Sequence, residues 1–194
     1  MKGLQIRSAV FFLVMALISC DTKTNEKTES TPDTAALTQP APSDLNSNQS
    51  ALLTTILGSA ENGILRGIAF GDPLSKVKAT ETFEMFEETA DHLGYTSETA
   101  KLETIDVQYF FTPDKKVNKI TVDVYLNSPE ATKQLWNAAK AHFTESYATP
   151  KEEKKTISWN TKAVKVNMED VSVGKDYGLK FQFSPTDKTA LAAK

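Results

Sequence analysis

Thr104–Phe111, TIDVQYFF, and Ile120–Leu126, ITVDVYL, are the two stretches that decide the fold. In the first, Ile105, Val107, Tyr109 and Phe111 fall on one face of an extended chain. In the second, Ile120, Val122, Val124 and Leu126 do the same. Alternation with a period of two, in β-branched and aromatic sequence, specifies half-buried strands. Between them Thr112–Lys116, TPDKK, carries turn residues, so the pair reads as an antiparallel hairpin.

On the C-terminal side the period changes. Ser128-Pro129-Glu130 is a helix start: Ser128 caps, Pro129 occupies the first turn and Glu130 complements the helix dipole. The spacing predicts a helix to about Tyr147, ahead of Pro150. Ala131, Leu135, Ala139, Phe143 and Tyr147 recur every four residues as its inner stripe, with Trp136 beside them. Three strands follow: about 156–160 around Trp159, then 163–169 with Val164, Val166 and Met168 on one face, then 178–183 with Leu179, Phe181 and Phe183 on one face. Gly174 and Gly178 frame the last turn. The KEEKK run at 151–155 reads as a solvated loop.

On the N-terminal side FEMFEE (83–88) and GYTSET (94–99) read as a second hairpin turning near 89–91. Before it, Asp72-Pro73 repeats the helix-start pattern, with Asp72 as N-cap, a helix to about Glu81, and Leu74 and Val77 facing inward. Ile64, Ile68 and Phe70 read as a short extended piece, and Ala51–Leu57 as a short helix or docking segment. The fold class is therefore α+β, a two-layer sandwich with an antiparallel sheet and two main helices on one face. Each main helix has a cap-and-proline start and leads into a hairpin, as in a diverged helix–hairpin repeat.

The chain has three classes of sequence. Residues 1–19 open with Lys2 and Arg7 and continue with the apolar run AVFFLVMALI, Ala9 to Ile18. That run is shorter than the roughly 20 residues that cross a bilayer, and has the length of a secretory signal core. Residues 20–50 hold the single cysteine, Cys20, and a stretch rich in Thr, Ser, Pro, Asn and Asp. Such a stretch cannot offset its ordering entropy by burial and predicts a disordered tether, about 30 Å in r.m.s. span. Residues 51–194 form one domain, about 140 residues, large enough to bury roughly two thirds of its unfolded surface.

Leu17-Ile18-Ser19-Cys20 resembles a bacterial lipobox. The resemblance implies cleavage before Cys20, a diacylglyceryl group on its thiol, and attachment to a membrane. Two or more acyl chains anchor stably, where one is marginal. An ordinary signal peptide with a chance cysteine is the alternative. Asp21 retains lipoproteins in the inner membrane of enteric bacteria, a rule that does not hold in every phylum. Asp33-Thr34-Ala35 resembles a short bacterial O-glycosylation motif, with Thr34 as acceptor. The segment GIAFGDPLSKVKATE, residues 67–81, is similar to the opening of the β-lactamase-inhibitor-protein-like fold, which includes small outer-membrane lipoproteins. That likeness implies a binding module without a catalytic site. It favours the outer over the inner membrane, in the cell envelope.

Charge and motifs exclude several classes. There are 22 basic against 25 acidic residues, and loss of Lys2 and Arg7 with the signal leaves the chain more acidic. No basic element marks nucleic acid as a partner. Cys20 sits at the anchor, so the sequence offers no cysteine nucleophile. A Ser–His–acid or metal site would have to recruit His92 or His142 from distant segments. G-x-S-x-G, H-x-x-x-H, C-x-x-C, calcium-loop and phosphate-loop spacings are all missing. The acidic pairs Glu87-Glu88, Glu152-Glu153 and Glu169-Asp170 fit solvated strand ends and loops. No cofactor is expected, and the chain reads as a non-enzyme.

What remains is surface. Phe110 and Tyr125 fall on the off-phase faces of their strands and, with Trp136 and Trp159, form the candidate interaction surface. If a second element covers that face, they are core instead. The expectation is a lipid-anchored envelope module that binds a protein partner. The alternative is a carrier or sensor of a small lipid or glycan, held in a pocket of about 300–1,000 Å³ between helices and sheet.

Overall fold

The computed structural model describes residues 45–58, 62–147 and 149–187. The expected signal segment, Cys20, Thr34 and the tether as far as residue 44 lie outside the described residues. Helix α1 (Leu45–Leu57) and the short helix α2 (Leu74–Thr80) lead into strands β1 (Glu84–Glu88), β2 (His92–Glu98), β3 (Thr104–Phe111) and β4 (Val117–Leu126). Helix α3 (Pro129–Tyr147) is followed by β5 (Lys151–Glu153), β6 (Thr156–Asn160), β7 (Val164–Asp170) and β8 (Tyr177–Pro185). The class is α+β, with three described helices and one open eight-stranded antiparallel sheet in the order β1-β2-β3-β4-β8-β7-β6-β5. Two meanders of four strands thus meet at the β4–β8 pair, near the middle.

The alternating residues of the opening hairpin set the register of the whole sheet. Leu93, Tyr109, Ile120, Phe183, Val166 and Trp159 are successive cross-strand neighbours over six strands. So are Tyr95, Val107, Val122, Phe181, Met168 and Ile157. All twelve are buried, and one face of the sheet is continuous core. A slip of one residue would send every one of them to the other face, so burial itself fixes the pairing.

Helix α3 covers this core with the expected stripe. Leu135, Ala139 and Phe143 are buried, and the Phe143 ring lies 5.4 Å from Trp159, 6.1 Å from Phe181 and 5.8 Å from Phe183. Ser128 Oγ accepts from the Ala131 N–H at 3.1 Å, as its N-cap reading requires. Helix α1 packs on α3 and adds Leu52, Leu53 and Ile56 to the core, while α2 adds Val77.

Five expectations change. Trp159 is not on the surface: it is fully buried, and its Nε1 donates to Thr144 Oγ1 at 3.2 Å. It shares the inward phase of β6 with Ile157. KEEKK is not a loop, since its first three residues form β5 on the sheet edge, although every residue of the run is exposed. Asp72 does not cap α2. Its carboxylate takes the Ala69 N–H at 2.7 Å and the Lys76 ammonium at 2.7 Å instead. The Ile64–Phe70 piece is a tight turn, closed by Leu65 and Ile68 bonding each other's backbones, with positive φ at Arg66 and Gly67. Finally, α1 starts at Leu45, within the stretch read as tether.

Candidate interaction surface

The other face of the sheet carries polar side chains, and none of the described helices packs on it. One cross-strand row runs Thr96, Asp106, Asp123, Lys180, Glu169, Thr156. Thr96 Oγ1 donates to Asp106 at 2.6 Å, and the Lys180 ammonium reaches Asp123 at 2.9 Å. The next row runs Gly94, Gln108, Thr121, Gln182, Asn167, Ser158, and Ser158 Oγ donates to Asn167 Oδ1 at 2.8 Å. Neighbours satisfy one another across the strands, as stable cross-strand pairs do.

Phe110 stands at one end of this face. The His92 ring stacks on it at 4.8 Å, and the Lys119 ammonium sits 3.5 Å from its centroid. These contacts leave Phe110 half-buried beside a groove of about 910 Å³ that Lys165, Gln182 and Ser184 also line. Near it, the Phe86 ring covers Gly94, where a Cβ would meet the ring carbon at 2.6 Å. Only a glycine lets the ring lie this close to the strand.

Tyr125 stands at the other end. Its cross-strand partner Thr104 is six residues from Phe110 on β3, which separates the two aromatics by roughly 20 Å along the strand. Tyr125 is 56% exposed. Burial of part of its ring raises the phenol above its usual range, helped by the Asp123 and Asp106 charges and opposed by Lys180.

Two loops flank Tyr125 at this end. The β2–β3 loop presents Leu102, 69% exposed, and the β7–β8 loop presents Val171 and Val173, 42% and 74% exposed. Of the six exposed large hydrophobic residues among those described, these four lie at one end of one sheet. Both loops are tied down. Thr99 accepts the Leu102 N–H at 2.9 Å, and Asn127 Nδ2 bonds the Lys101 carbonyl. Ser172 Oγ accepts the Gly178 N–H at 3.1 Å, and Val173 and Asp176 bond each other's backbones. A Cβ at Gly178 would touch Val171 at 3.4 Å, so Val171 leans over the glycine that pairs with Tyr125.

The four residues expected on one surface do not share one. Phe110 and Tyr125 mark opposite ends of the open face, Trp159 is core, and Trp136 is half-buried on α3, on the helix side. Leu102, Val171 and Val173 escaped the sequence reading because they lie outside the periodic stretches. Their signal was apolar residues inside loop-like sequence. His92 is on the open face and His142 is exposed on α3, so the sheet keeps them apart. Among the described residues, no three His, Cys, Asp or Glu side chains are grouped to hold a metal ion.

Comparison with known protein families, with characterised proteins and with solved structures finds no match to this chain.

Proposed function

We propose that this protein is a lipid-anchored, non-catalytic interaction module of the cell envelope. Lipid on Cys20 attaches it to a membrane, the outer in preference to the inner, and a protein partner engages the Tyr125 end of its open sheet face. One observation carries this reading: Tyr125 of β4 is exposed between Leu102, Val171 and Val173, which stand on loops that hydrogen bonds hold in place. Apolar groups in water are costly, and an exposed cluster on a rigid frame suits a partner that covers it. Prepaid order in the two loops lowers the entropy that binding must offset.

The finer architecture belongs to the same reading. A helix followed by a four-stranded meander occurs twice, as α2 with β1–β4 and as α3 with β5–β8. This order supports a diverged repeat and a two-layer arrangement like that of the β-lactamase-inhibitor-protein-like fold.

The test is cross-linking in the native envelope followed by pull-down of the full chain, a Cys20→Ala form, and a Leu102→Ser/Val173→Ser form. The expected result is one reproducible partner, lost from the second and third forms alike. Recovery of the same partner with the double substitution would overturn the assignment of this end of the sheet. No partner from any form would favour the carrier reading. Against a ligand buried under the sheet stands the filled space there, occupied by Phe143, Trp159, Phe181 and Phe183.

A further inference from the structure

A cleft of about 350 Å³ opens where the first turns of α3 meet the β7–β8 loop, on the helix side of the sheet. Trp136 and Tyr177 give it aromatic walls, and Thr132, Lys133, Lys154 and Asp170 give it polar ones. Three features equip it for a ligand. First, Lys133 and Lys154 bring two ammonium groups to one cleft, with no ion-pair or hydrogen-bond partner among the described residues. Second, Trp136 Nε1 and Tyr177 Oη are without hydrogen-bond partners among the described residues, although the core tryptophan, Trp159, has one. Third, Asp170 Oδ1 accepts the Ser172 N–H at 2.9 Å, which leaves its second oxygen as an acceptor.

We infer that this cleft binds a sugar acid, a pyranose ring that carries a carboxylate. The apolar face of the ring lies against Trp136 or Tyr177, since amphipathic aromatics give large contact area with a polar tip. The sugar carboxylate meets Lys133 and Lys154, whose ammonium groups form no ion pair among the described residues. Sugar hydroxyls donate to Asp170 and accept from the indole and phenol donors. A fatty acid would also satisfy the lysines, but its alkyl chain would strip water from the Asp170 carboxylate without replacing those bonds. The volume falls at the lower end of the range for small-ligand sites, about 300–1,000 Å³. The cleft shares the β7–β8 loop with the Tyr125 surface through Ser172, but Tyr125, Leu102, Val171 and Val173 do not line it, so substitutions can test the two apart.

The experiment is titration of the full chain in detergent with a glucuronate-containing disaccharide, followed by calorimetry and tryptophan fluorescence. The neutral glucose disaccharide and decanoate serve as controls. The chain has two tryptophans, and with Trp159 buried, a change in emission reports Trp136. Saturable binding is expected, about tenfold weaker for the neutral disaccharide, with a matching emission change. Lys133→Ala/Lys154→Ala should weaken it about tenfold or more at unchanged melting temperature, and Trp136→Phe should abolish the emission change. No heat and no emission change with the acid disaccharide would overturn the inference. So would equal binding of the neutral sugar, binding of decanoate in its place, or binding that survives the double lysine substitution.

Discussion

Tyr109 Oη donates a 2.6 Å hydrogen bond to Glu81 Oε2 inside the core. The Glu81 side chain is fully buried, and Arg66, 8% exposed, pairs with it at 2.8 Å. The same carboxylate accepts the backbone N–H groups of Thr82 and Phe83 at 2.8 and 3.1 Å. Arg66 in turn lies 3.7 Å above the Phe83 ring and donates to the Thr55 carbonyl of α1 at 2.6 Å. One acid thus ties together α1, the Leu65–Ile68 turn, the end of α2 and β3. Glu81→Ala strands a buried guanidinium and should cost about 3–5 kcal/mol. Tyr109→Phe removes one charge-assisted bond and should cost about 1.5–3 kcal/mol. Urea denaturation of both variants measures the difference.

The same group sets a dependence on pH. Burial acts to raise the Glu81 carboxyl, but hydrogen bonds from Arg66, Tyr109 and the Phe83 N–H, with the Arg66 charge, outweigh it and hold it below its usual 4.5. Its stabilisation is therefore full above pH 4.5 and is lost as pH falls through the lower folded value. Burial, followed by the Glu81 charge and hydrogen bond, pushes the Tyr109 phenol far above its usual 10. That contribution is full below pH 10 and is lost as pH rises beyond it. Stability against pH should fall at both ends. Glu81→Gln should flatten the acid limb. Tyr109→Phe should flatten the alkaline limb in part, because burial also raises Tyr95. An unchanged acid limb in Glu81→Gln would remove this carboxylate from the account.

Ser128 and Asp72 look alike in sequence, each just before a proline, and the structure uses them differently. Ser128 Oγ caps α3, so Ser128→Ala should cost about 1 kcal/mol. Ser128→Asp should keep the cap. Asp72 holds the preceding turn through the Ala69 N–H, and α2 has no side-chain cap. Asp72→Ser should therefore fail to restore an Asp72→Ala loss, unlike a true cap position. Thermal melts of these four variants separate the two roles.

Strand positions were legible where one face is buried, because burial imposes a period of two on Ile105–Phe111, Ile120–Leu126 and Leu179–Phe183. Helix α3 was legible from its stripe and its cap. β5 was not, since Lys151–Glu153 buries nothing and leaves no pattern. The place of Trp159 depended on which phase of a five-residue strand faces α3, a tertiary fact. The separation of Phe110 from Trp136 depended on which side of the sheet the helices take. The Arg66–Glu81–Tyr109 group joins residues 15 and 28 positions apart, a distance that no local period encodes.

Leu102 offers a last prediction, in which stability and binding move in different directions. Its φ is +61°, a left-handed conformation in a residue with a branched side chain, and such backbone costs about 1–2 kcal/mol outside glycine. The side chain is 69% exposed and contributes little packing in return. Leu102→Gly relieves the strain, offset in part by the greater freedom of glycine in the unfolded chain. The variant should be as stable as the parent or more stable by up to about 1 kcal/mol. Under the interaction reading it should also lose the cross-linked partner, because the apolar knob is gone while the loop keeps its hydrogen bonds. Urea denaturation and pull-down on the same preparation give both readouts. A variant that is more stable and still recovers the partner would make Leu102 a structural accident of the turn rather than part of the surface.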